Sequence, residues 1–102
     1  MSRIIFAESA NRDLKQIGDY IIHKLKSPQA ALNTVRKIRA AIDRLSDFPL
    51  IGVALFHQDE PTDFRFLVCG NYHAFYRIVD DKVLVDRILY GKRDHLSILF
   101  DE

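Results

Sequence analysis

The apolar positions along the chain change period three times, and each change marks an element. Arg3 to Ala7 opens with three apolar residues in a row, Ile4, Ile5 and Phe6, and reads as a short strand. From Ala10 the spacing becomes helical. Ala10, Leu14, Ile17, Ile21 and Leu25 recur at steps of three and four and share one helix face. Ser9 stands just before this run, where an N-cap hydroxyl would accept a first-turn amide. Ser27-Pro28 signals a second start, because Pro is tolerated at the first helical position. Ala31, Val35, Ile38, Ile42 and Leu45 continue the helical period until Phe48-Pro49 stops it. Two amphipathic helices joined by so few residues fold back antiparallel.

Beyond Pro49 the pattern turns polar. Residues 49–63, with Gly52 and Pro61, read as a loop with at most a short extended piece over Val53–His57. Three strands follow: Phe64–Val68, Tyr72–Val79 and Lys82–Tyr90, separated by Gly70-Asn71 and Asp80-Asp81 and closed by Gly91. On the middle strand Tyr72, Ala74, Tyr76 and Ile78 face one side, and His73, Phe75, Arg77 and Val79 the other. Asp94 to Phe100 reads as a short terminal helix. The order predicts one α+β domain over residues 1–102: an N-terminal strand, an antiparallel helical hairpin, then a three-stranded antiparallel meander. The helices cover one face of the sheet. The other is a concave, partly aromatic surface.

Composition narrows the function classes. A single Cys69 excludes an internal disulfide and a cysteine zinc cluster, and fits a small buried filler. A net charge of +1 excludes a strongly basic nucleic-acid coat. The evenness conceals a gradient. Residues 1–48 carry nine Lys/Arg against five acids, whereas residues 49–63 carry three acids and no Lys or Arg. No run approaches the roughly 20 apolar residues of a membrane span, and the N-terminus lacks a signal-peptide core; the expectation is a cytoplasmic protein without membrane contact. His57, His73 and His95 lack close ligand spacing, so no metal site and no cofactor are expected.

The segments ANRDLKQIGDYI, SPQAAL and IRAAIDRLSDFPLIG, then FRFLVCGNYHAFYRIVDDKVLVDRILYGKRDHL, together resemble the RelE/ParE superfamily of bacterial toxins. GNY-x-x-FYRI and ILYGKRD, taken together, carry the resemblance most specifically. It implies a toxin of a type II toxin–antitoxin pair, neutralised by a cognate antitoxin. Two targets are implied: DNA gyrase for ParE-like members, the ribosome and its mRNA for RelE-like endoribonucleases. The long helical hairpin and the A-x-R-D-L opening resemble the ParE branch. The nuclease set is incomplete here: His73 replaces an arginine, Phe64-Arg65-Phe66 stands where paired lysines are expected, and no Tyr follows Arg93. A third reading is an inactive relative that only binds a partner.

For metal-free RNA cleavage the candidates are His73 and His95 as acid and base, with Arg93 stabilising the phosphorane. For binding a target the candidates are Arg65, Arg77, Arg87, Lys92 and Arg93. Structural pairing of Arg77 or Arg87 with an acid is an equal alternative. Tyr72 and Tyr76 are expected in the core.

Overall fold

A computed structural model describes residues 2–101. The elements run β1 (Arg3–Phe6), α1 (Glu8–Leu25), α2 (Pro28–Asp43), a 3-10 turn (Arg44–Ser46), β2 (Val53–His57), β3 (Glu60–Cys69), β4 (Tyr72–Val79), β5 (Lys82–Tyr90) and α3 (His95–Phe100). One five-stranded sheet has the order β1-β5-β4-β3-β2. β1 pairs parallel with β5, and the other neighbours are antiparallel. The helical hairpin lies on one face, α1 over β1 and β5, α2 toward β3.

Local chemistry explains α2 and its limits. Ser27 accepts a hydrogen bond from the Ala30 amide at 3.1 Å, and Pro28 occupies the first turn. Ala31, Ile38, Ile42 and Leu45 are buried, with Val35 packed beside them. α1 starts differently from expectation. Ala7 is the cap residue and its side chain makes no capping bond, while Ser9 lies inside the helix and donates to the Asp86 carbonyl at 2.7 Å. Leu25, the last residue of the α1 stripe, is 61% exposed and not core.

The meander has four strands rather than three. The extended piece at Val53–His57 is β2, and β3 starts at Glu60 instead of Phe64. Gln58 and Asp59 form the turn between them, both at positive φ (53° and 64°). Asp80 and Asp81 do the same between β4 and β5 (51° and 63°), matching the twist that two-residue hairpins need.

A β-bulge in β5 reshapes both faces. Phe75 is opposite Arg87 and Tyr76 opposite Val85, so Asp86 is the extra residue. Val83 and Val85 therefore face the helices before the bulge and Ile88 after it, while Leu89 turns to the other side. Helix α1 supplies the bulge with partners. Ser9 takes the Asp86 carbonyl, and the Asp13 carboxylate accepts the Ile88 amide at 2.9 Å.

Two cores result. The larger one, between helices and sheet, contains Ala10, Leu14, Ile38, Ile42, Ala74, Tyr76, Val83, Val85 and Ile88. The smaller lies on the opposite face, where Leu55, Phe75 and Leu89 are covered by Ile98, Leu99 and Phe100 of α3. The concave surface expected from strand parity is thus partly roofed by the terminal helix.

Candidate functional site

The arginines separate into committed and uncommitted groups. Arg77 forms a two-pronged pair with Asp86, at 2.8 and 2.9 Å, and its guanidinium lies 5.4 Å from the centre of the Phe64 ring. Arg87 forms the same fork with Asp13 at 2.8 and 2.9 Å. Asp13 is 7% exposed, so its charge is tolerated only because Arg87 and the Ile88 amide satisfy it. Arg65 donates from Nη1 to two loop carbonyls, Gly52 at 3.0 Å and Leu50 at 3.5 Å. The structural alternative for Arg77 and Arg87 is the arrangement present, and Arg65 joins them. Lys92 and Arg93 differ. Both are exposed, and neither side chain has a hydrogen-bond or ion-pair partner among the described residues.

Tyr76 explains why the loop before β2 is fixed. Its fully buried hydroxyl donates to the Pro49 carbonyl at 2.7 Å and accepts from the Gly52 amide at 3.0 Å. A Cβ at Gly52 would stand 2.5 Å from that oxygen, so only glycine fits. Tyr76 is core, as its parity implied. Tyr72 is half-buried. Burial also raises the Cys69 thiol to about 11, which makes it an inert filler at neutral pH.

Three of the four histidines, His57, His73 and His95, gather on the concave face. His73 stacks on Phe66 with ring centres 5.1 Å apart, and His95 stacks on Phe75 at 5.2 Å. His57 stacks on Phe100 at 4.6 Å. Burial lowers the His73 pKa from its ordinary value, and nearby His95 lowers it further. Both effects favour the neutral imidazole. His73 also rests against the chain turn after β5: a Cβ at Gly91 would lie 3.1 Å from its Nε2.

Arg93 lies on the turn that joins β5 to α3. It lines a cleft of about 520 Å³ between α1 and the ends of β4 and β5, with Gln16, Tyr20, Asn71, Tyr72 and Tyr90 among its neighbours. Of the candidate trio, His73 and His95 stack on the concave face, and Arg93 lines the tyrosine cleft two residues beyond Gly91, which abuts His73. Strand alternation made His73 readable; His95 reaches the same face through α3. The cleft needs the α1–β5 docking that Asp13 and the bulge create, and periodicity alone does not signal it. Gln16 and Tyr20 lie four apart on α1 and so share the helix face that closes the cleft.

A backbone frame holds Arg93 in position. The Arg93 amide donates to the Tyr90 carbonyl at 2.8 Å, closing a turn. The Gly91 amide donates to the Asn71 carbonyl at 2.8 Å, pinning that turn to the β3–β4 turn. Among the described residues no group of His, Cys, Asp and Glu could hold a metal ion.

The fold has counterparts. The toxin–antitoxin pair ParDE from P. aeruginosa contains a chain that is 21% identical, with 90% of this chain and 98% of that one aligned at a TM-score of 0.77. A chain of the RelBE2 complex from Mycobacterium tuberculosis is 23% identical, over 87% of this chain and 96% of that one, at 0.60. The isolated E. coli RelE toxin is 15% identical, over 99% and 97%, at 0.57. At these identities the likeness is one of fold. A sequence search of curated proteins returns no significant match. The family model for the ParE toxin of the type II toxin–antitoxin system parDE matches residues 4–95, from β1 through the Arg93 turn to the start of α3. With nearly every element inside that match, the chain belongs to the ParE toxin family.

Proposed function

We propose that this toxin arrests growth by binding DNA gyrase, and that a cognate antitoxin holds it inactive until then. The observation that carries the reading is the placement of Arg93. It is an exposed cation on a backbone-bonded turn, beside aromatic rings, with no hydrogen-bond or ion-pair partner among the described residues. Such a surface suits gripping a partner. Cleavage needs base, acid and cation converging on one phosphate. Here Arg93 lines the tyrosine cleft, whose lining includes neither His73 nor His95. The paired lysines and the late tyrosine of the nuclease set are absent from the sequence. Complexes of fold relatives, ParDE and RelBE2, support an antitoxin partner.

The RelE-like endoribonuclease is the second reading, favoured by one observation: His95 lies close enough to His73 to help lower its pKa, after burial. The order of cellular events separates the two. Induction of the toxin alone is expected to give filamentation and DNA-damage signalling before translation stops, with rescue by the antitoxin. Immediate loss of translation with codon-positioned mRNA cuts would reverse the ranking. Normal growth with soluble, folded toxin present would leave the inactive relative.

A further inference from the structure

Three of the chain's four tyrosines meet in the Arg93 cleft. Tyr72 and Tyr90 touch edge to face with ring centres 5.9 Å apart. Tyr20 lies near enough to bear on the Tyr72 phenol. Tyr20 is 62% exposed and Tyr90 45% exposed, an unusual amount of aromatic surface facing outward at one place. Among the described residues Asp13 is the only acid lining the cleft, and its carboxylate is fully used by Arg87 and the Ile88 amide. Among those residues the Arg93 charge therefore has no counter-charge in the cleft. Phenol hydroxyls and the Gln16 amide add neutral donors around it.

We propose that this tyrosine–arginine cleft is an anchor site for a carboxylate side chain, flanked by an apolar residue, presented by the toxin's protein target. The proposal rests on the gyrase reading for the identity of that target. Charge complementarity calls for an anion. A protein carboxylate is favoured over a nucleic-acid phosphate because one arginine lines the cleft. Grooves that track a phosphate backbone gather several cations. Tyrosine and arginine are also the residues that dominate protein-interface anchors, where a large rigid ring excludes water around a charged contact. Arg93 can hold a carboxylate with two parallel bonds, which Lys92 cannot.

The test uses the full-length toxin and a terminally blocked Leu-Asp-Leu peptide, followed by nuclear magnetic resonance. The tyrosine ring signals and the Arg93 side-chain signal are expected to shift on titration. The Leu-Asn-Leu peptide is expected to bind at least tenfold more weakly. Arg93→Gln and Tyr20→Ala, both at exposed positions, are expected to lose binding at least tenfold while the rest of the spectrum is kept. Arg36→Gln, on an exposed part of α2, is the unchanged control. Equal binding of the two peptides, or no shift at the tyrosines, overturns the site. A shift with a short oligodeoxythymidylate but not with Leu-Asp-Leu overturns it in favour of nucleic acid. The same variants are then compared in gyrase supercoiling. If wild type inhibits and the variants inhibit equally, the site fails and the gyrase reading stands. If wild type binds the peptide but leaves gyrase untouched, the gyrase reading fails and the carboxylate site stands.

Discussion

Two residues show how differently charge is used in this molecule. Asp13 is buried and triply bonded, and Arg87 is its counter-ion. Removing one partner leaves the other charge without compensation. Asp13→Ala is expected to destabilise by about 3 kcal/mol, the lower end for a buried pair because the Arg87 side chain keeps 29% exposure. The Asp13→Leu/Arg87→Met double variant is expected to lose less than Asp13→Ala alone. Denaturant midpoints measure both; an additive loss would mean that the pair is not coupled. Arg93 is the opposite case. Arg93→Ala removes an exposed side chain without an internal partner, so stability should change by no more than about 0.5 kcal/mol. Loss of a charged contact at a desolvated interface costs about 2–5 kcal/mol, enough to abolish toxicity. Lys24→Ala, exposed on α1, is the control that stays toxic. Full toxicity of Arg93→Ala at the wild-type level of expression would place the active surface elsewhere.

At the scale of elements, glycine tells which contacts are tight. Gly18 lies where α1 crosses α2, and an added Cβ would meet only Val35 Cγ2 at 3.8 Å. Gly18→Ala is therefore expected to raise stability by about 0.5–1 kcal/mol, through helix propensity and a less free unfolded chain. Gly52→Ala must instead push against Tyr76 and the Phe66 carbonyl and should lower the melting temperature markedly. Equal melting of the two variants would refute the account of the loop. The α3 roof adds a pH dependence. His73 has its pKa lowered from 6.5, by burial first and by His95 second, so the unfolded chain takes up the proton before the folded one. Stability is expected to be level above about pH 6.5 and to fall as pH drops through the interval between the unfolded and folded values. His73→Gln should remove that part of the slope, and an unchanged slope would assign it to other groups.

These elements also show what could be read without coordinates. α2 was legible end to end because its cap, its Pro28 and its stripe are local features. The start of α1 was not, since Ser9 serves the distant Asp86 carbonyl instead of its own helix. The β2–β3 hairpin was only half legible. Its turn residues Gln58 and Asp59 both take positive φ, yet neither is glycine, and Pro61 interrupts the strand pattern. The concave placement of His73 followed from alternation, whereas that of His95 depends on how α3 packs. The Tyr20–Tyr72–Tyr90 cleft did not, because a bulge breaks the alternation and α1 must dock before the rings meet.

At the scale of the whole molecule, the sheet separates two surfaces with different chemistry. One carries stacked histidines beside α3; the other, between α1 and the strand ends, carries tyrosines and the exposed Arg93. The gyrase account assigns action to the second surface and a structural role to the first. A supercoiling assay with purified gyrase and the purified toxin tests that assignment most directly. The account predicts inhibition that rises with toxin concentration, is relieved by the cognate antitoxin, is lost in Arg93→Ala and is largely retained in His73→Ala. Undiminished supercoiling at a large excess of folded toxin would contradict it.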